Sequence, residues 1–152
     1  MWLTERWWKT AGLWDTVEVD ASSNTGGVTV NFGGYNTNNA RYNKFTGGSG
    51  DDALIGDEQD FVDYSLEQSF SHQSQAFHLN EGIVANLQTG QVIDTYGYKD
   101  TLQKNNEGLG IKNIIGTSKD DLILGSNQGS QILSGDGNDL ITITAGENIV
   151  VA

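Results

Sequence analysis

Residues 116 to 151 divide without remainder into four nine-residue units, Gly116–Leu124, Gly125–Leu133, Ser134–Thr142 and Ile143–Val151. One register fixes two columns. The eighth place holds Ile123, Ile132, Ile141 and Val150, and the sixth holds Asp121, Ser130, Asp139 and Asn148. The purest copy of the unit lies upstream, at Gly47-Gly48-Ser49-Gly50-Asp51-Asp52-Ala53-Leu54-Ile55. Such units predict three-residue strands, each with its central side chain pointing inward, joined by turns in which glycine supplies positive φ.

That copy resembles the Gly-Gly-x-Gly-x-Asp-x-U-x nonapeptide of RTX, or haemolysin-type calcium-binding, proteins, where U is a large apolar residue. The linking segments extend the resemblance to nearly everything after Leu13: Val62-Asp63-Tyr64-Ser65, Gly82-Ile83-Val84-Ala85-Asn86-Leu87-Gln88-Thr89-Gly90, Asp100-Thr101-Leu102 and Asn113-Ile114-Ile115-Gly116-Thr117. The resemblance implies an all-β, right-handed parallel β-roll or β-solenoid. It also implies a bacterial module exported unfolded by type I secretion, which folds outside the cell on meeting Ca²⁺.

In such a roll two units complete a coil of eighteen residues, so Asp121 and Asp139 should stack on one edge. Two carboxylates with glycine-turn carbonyls make an oxygen-only site, which favours Ca²⁺ over zinc or copper. The expected ligand set is Asp121 and Asp139 with the turns around Gly116, Ser118, Gly135 and Gly137. Thr117 and Lys119 depart from the glycine pattern, and Lys119 puts a positive charge beside the cation. On the opposite edge Ser130 and Asn148 are neutral and should be structural. A second, half-formed site is expected at Asp52 with Gly47 and Ser49. Its eighteen-residue neighbours, Gly34 and Phe70, offer no side-chain oxygen, which leaves Asp57, Glu58 or backbone carbonyls to complete it. Asn43 is expected to face Phe61 and to hold no ion.

Composition narrows the setting. Twenty acidic residues against 8 basic ones give a charge of −12, which repels itself until cations arrive. Scattered Lys and Arg argue against nucleic acid as a partner. Without cysteine there are neither disulfides nor thiolate sites. His72 and His78 flank a Ser/Gln-rich insertion at a spacing that matches no common metal motif. No stretch approaches a membrane span, and the N-terminus lacks a Sec signal pattern, so a soluble chain is expected. No nucleophile elbow, zinc helix or phosphate loop occurs, and a non-enzymatic module is expected.

Residues 1–13 read as an N-terminal cap or a fragment edge, with a short helix capped by Thr4 and ended at Gly12 as one possibility. Residues 14–152 read as a single solenoid made of two super-units, about 14–59 and 60–152. The second carries insertions near 67–80 and 91–107, which should form rim loops. Leu122, Leu124, Leu133, Leu140, Ile149 and Val151 fall on outward-facing places, which predicts a covering layer, another domain or self-association. The expected function is a calcium-binding extracellular module that supports or spaces an attached domain, with weak affinity of about 10⁻⁴ to 10⁻³ M. The alternatives are an adhesin repeat segment, or an accessory module of a secreted polysaccharide epimerase or lyase that uses Trp14, Tyr35, Tyr42, Tyr64, Tyr96 and Tyr98 to stack on sugars.

Overall fold

The computed structural model describes residues 2–4, 17–32, 42–67 and 82–152. No helix occurs among them, and their strands form two sheets, mostly parallel, neither of them closed. The smaller sheet contains β2 (Glu18–Asp20), β4 (Lys44–Thr46), β6 (Phe61–Asp63), β10 (Asn113–Ile115), β12 (Gln131–Leu133) and β14 (Ile149–Val151), paired in that order. The larger contains β1 (Trp2–Thr4), β3 (Thr29–Asn31), β5 (Ala53–Gly56), β7 (Val84–Asn86), β8 (Gln91–Ile93), β9 (Lys99–Lys104), β11 (Leu122–Leu124) and β13 (Leu140–Thr142). Its spatial order is β1-β3-β5-β9-β8-β7-β11-β13.

Outside the β7–β9 segment the chain alternates between the sheets, laying down one short strand in each. In β2 and β12 only the central residue is buried, the signature of a three-residue strand with one face inward. Val19, Phe45, Val62, Ile114 and Ile132 form the inward column of the smaller sheet, and Val30, Leu54, Leu102, Val92, Ala85 and Ile123 that of the larger. Fully buried aliphatic side chains of this size each contribute about 1.5–3 kcal/mol. The strands stop where an Asp or Asn turns the chain: Asp20, Asp63 and Asn86 each accept the N–H two residues on through a side-chain oxygen, at 2.9–3.0 Å.

The expected eighteen-residue step holds in the C-terminal block, where Ile114 pairs with Ile132, Ile132 with Val150, and Ile123 with Ile141. Elsewhere the structure departs from expectation. Phe45 pairs with Val62, one residue short of eighteen, so Asp60 rather than Phe61 lies beside Asn43. The second insertion is not confined to the rim. Its β8 and β9 join β7 in an antiparallel meander that fills the middle of the larger sheet, because β5 would otherwise leave a line of backbone donors and acceptors unpaired. Trp2–Thr4 is a strand along β3, whereas the helix expected between Thr4 and Gly12 falls outside the described residues. Residues 5–16, Tyr35, most of the first insertion, and His72 and His78 lie outside the described residues. No helix among the described residues is long and apolar enough to cross a membrane.

Of the outward-facing apolar residues, Leu122 and Leu124 are half-buried, whereas Leu133, Leu140, Ile149 and Val151 are exposed.

Candidate functional site

Sixth-place Asp and Asn residues perform one task along the stack, each offering a side-chain oxygen to the backbone N–H of the corresponding residue on the neighbouring strand that precedes it in sequence, whereas Ser130 turns its hydroxyl to Ser126 N within its own turn. On the edge of the larger sheet, Asp52 Oδ1 accepts from Val28 N at 2.8 Å, Asp100 Oδ1 from Asp52 N at 2.8 Å, Asp121 Oδ1 from Ile83 N at 2.8 Å and Asp139 Oδ1 from Asp121 N at 2.9 Å. On the other edge Asn43 accepts from Val17 N at 3.3 Å, Asp60 from Asn43 N at 2.8 Å and Asn148 from Ser130 N at 2.9 Å. The result is a side-chain ladder along both edges, satisfying donors that the three-residue strands leave unpaired.

Asp121 and Asp139 are therefore stacked as expected, and the oxygens of Asp121 are largely committed. Asp121 is fully buried, and besides Ile83 N it accepts from the Thr117 hydroxyl and the Thr117 N–H, both at 2.8 Å. Thr117 thus replaces a pattern glycine with a donor aimed at the carboxylate, a role the sequence reading missed. Burial pushes the Asp121 carboxyl above its ordinary range despite these bonds. Gly135 and Gly137 adopt φ of 91° and 124°, and a Cβ on either would strike the carbonyls of Thr117 and Lys119. A Cβ on Gly116 would strike the Asp121 carboxylate. Ser118 is exposed. As arranged, three protein donors occupy most of the acceptor positions of the Asp121 carboxylate, while Asp139 uses Oδ1 to accept from Asp121 N.

Asp52 is different. Its Oδ2 is buried without a hydrogen bond of normal geometry, although the Gly48 N–H lies close enough to favour its charge. A Cβ on Gly47 would come within 2.8 Å of that oxygen, so glycine is what leaves it open. Ser49 donates its N–H to Asn24 O at 3.0 Å. Neither acidic residue expected to complete the site does so. Asp57 Oδ1 accepts from Gln59 N at 2.8 Å, and Glu58 pairs with Lys112 at 3.3 Å.

Glu67, Asp94 and Asp100 surround Asp52 instead. Asp100 holds Asp52 N through Oδ1 and receives the Tyr64 hydroxyl on Oδ2 at 2.9 Å, with Tyr64 fully buried. Glu67 accepts both the N–H and the hydroxyl of Thr95 on Oε2 at 2.9 Å, which leaves Oε1 buried and unpartnered. Asp94 accepts Tyr98 N at 2.7 Å on Oδ1, and its Oδ2 is likewise buried and unpartnered. All four carboxylates are at most 3% exposed. Burial above all pushes Asp52 up to about 6, Asp94 to about 7, Glu67 to about 8 and Asp100 to about 9, with repulsion by Asp51 adding at Asp52 and repulsion by Asp52 adding at the other three. The ion pairs among the described residues, Lys44 with Glu18 and Asp63 and Lys112 with Glu58, leave this cluster untouched. Among the described residues no three His, Cys, Asp or Glu side chains already stand in a metal-holding arrangement.

No family model matches the sequence, and no curated protein matches it.

Proposed function

We propose that the chain is a non-enzymatic, calcium-responsive module with a right-handed parallel β-solenoid fold of the RTX type, which supports or spaces an attached domain in a secreted bacterial protein. The observation that carries this reading is the two-edged ladder. Nine-residue units alternate between two sheets, and in the C-terminal block each polar rung meets its neighbour eighteen residues away. Such a stack is a rod whose length is set by the number of coils, and its rungs are engaged in holding coils together rather than presented to a substrate. The charge of −12 and the open oxygen of Asp52 support a dependence on Ca²⁺.

Far-ultraviolet circular dichroism of chelator-treated protein should show β structure gained or stabilised as Ca²⁺ is added to about 10⁻⁴ to 10⁻³ M, with Mg²⁺ much less effective. A β spectrum and a melting curve indifferent to Ca²⁺ would overturn the calcium dependence.

A second reading, polysaccharide binding, is favoured by one groove. A cavity of about 270 Å³ is lined by Ser22, Asn24, Thr25, Ser49, Tyr96 and Tyr98, a mixture of aromatic faces and hydroxyls suited to sugars. Tyr98 is 37% exposed there, whereas Tyr64 is fully buried and cannot stack on a ligand. In affinity electrophoresis through acidic polysaccharides, retention that Tyr98→Ala abolishes would support this reading; migration unchanged by every glycan would remove it.

A further inference from the structure

We infer that Glu67, Asp94 and Asp100 complete, together with Asp52, a buried site for one Ca²⁺ ion that joins the two halves of the chain. The inference takes calcium as the ion from the proposed function and adds its place. Three observations converge. First, the four acidic side chains lie close enough to repel one another, and no lysine or arginine among the described residues forms an ion pair with them. Second, Asp52 Oδ2, Glu67 Oε1 and Asp94 Oδ2 are buried oxygens without a hydrogen bond of normal geometry, although the Gly48 N–H lies near Asp52 and the N–H groups of Tyr96 and Gly97 near Asp94. An unpaired buried carboxylate is costly, and three in one cluster call for a shared counter-charge. Third, the other oxygen of each carboxylate is fixed, Asp52 by Val28 N, Glu67 by Thr95 and Asp94 by Tyr98 N, so the open oxygens belong to anchored groups.

Oxygen donors alone select a hard cation, and donors from separate loops suit the variable coordination of Ca²⁺ better than the rigid octahedron of Mg²⁺. These carboxylates do not form a metal-holding shell as they stand, so the ion would have to draw their open oxygens together on binding. The location gives the ion a task. Asp52 precedes β5 and Asp100 begins the pairing of β9 with it, so the cluster sits where the larger sheet passes from the first super-unit to the inserted meander of the second. An ion there would tie Asp52 of the first half to Glu67, Asp94 and Asp100 of the second.

Terbium(III) luminescence is the direct test, because Tyr64 donates to Asp100 and is placed to sensitise a bound lanthanide. The full chain should give tyrosine-sensitised Tb³⁺ emission that Ca²⁺ displaces. Glu67→Gln with Asp94→Asn should abolish the emission. These changes preserve shape and remove two repelling charges, so that variant should remain folded without metal by circular dichroism; Asp100→Asn is a second variant for the same loss. Asp121→Asn with Asp139→Asn should keep the emission. Emission retained by the Glu67/Asp94 variant, emission lost only in the Asp121/Asp139 variant, or a folded native chain that binds neither Tb³⁺ nor Ca²⁺ would each overturn the assignment. The two readings fail separately: Ca²⁺-dependent folding that survives Glu67→Gln with Asp94→Asn removes this site alone, whereas Tb³⁺ binding without any effect of Ca²⁺ on folding removes the calcium-responsive function alone.

Discussion

Chelator-treated protein is expected to melt at a higher temperature near pH 5 than near pH 8, and saturating Ca²⁺ is expected to erase most of that difference. Burial holds Asp52, Asp94, Glu67 and Asp100 at about 6, 7, 8 and 9, whereas the same groups ionise near 4 in an unfolded chain. Between those limits the folded state keeps protons that the unfolded state has lost. The contribution to stability is therefore complete below about pH 4 and is lost as pH rises through the folded values. Asp60, held up to about 6 by burial and by Asp57, acts in the same direction. One pKa unit corresponds to about 1.4 kcal/mol, so shifts of this direction in several groups make the loss from pH 5 to 8 large on the scale of a domain's stability. A bound cation would neutralise the carboxylates without protons and flatten the profile. Calorimetric melting at the two pH values, in chelator and in Ca²⁺, measures both. Stability that rises with pH in chelator would contradict the buried protons, and a slope that persists in Ca²⁺ would contradict a cation among these groups.

Asp121→Ala is expected to destabilise the chain by about 3–6 kcal/mol, equally in Ca²⁺ and in chelator. Its carboxylate serves Ile83 N, Thr117 N and the Thr117 hydroxyl, so removing it strands three buried donors. Asp139→Asn should cost about 1 kcal/mol or less, since an amide oxygen can still accept from Asp121 N at this half-buried position. Urea unfolding at fixed Ca²⁺, repeated in chelator, separates the roles. If the cost of Asp121→Ala vanished in chelator, Asp121 would be acting through calcium and not as an acceptor for its neighbours.

Much of the C-terminal block was legible because its information is local. A nine-residue count places Ile123, Ile132, Ile141 and Val150 on the central places of strands, and the structure pairs them at eighteen. The place of Asp52 just before a strand was legible for the same reason. Its partners were not. Asp100 lies 48 residues away, and nothing in the intervening insertion signals that it re-enters the larger sheet as strand. The one-residue shortening that puts Asp60 beside Asn43 was hidden because Asp60 and Phe61 are adjacent, and only cross-strand pairing decides which of them meets it. Tyr64 read as an exposed aromatic because a motif does not reveal that its hydroxyl spans the interior to reach Asp100.

The ladder bears on how such a chain can change over evolutionary time. Its rungs join strands whose matching residues are 17, 18, 24, 26, 38 or 48 apart, and the bond lengths scarcely vary with that distance. What is inherited from coil to coil is a polar residue followed two places on by an apolar one, and not a fixed count between successive pairs. A turn can lose a residue or admit a whole hairpin without disturbing its neighbours, provided the pair returns in step. The glycine turns are thus the editable margin of the molecule, and the acidic cluster, assembled from a repeat and an insertion, shows how chemistry can be added there without redesigning the stack.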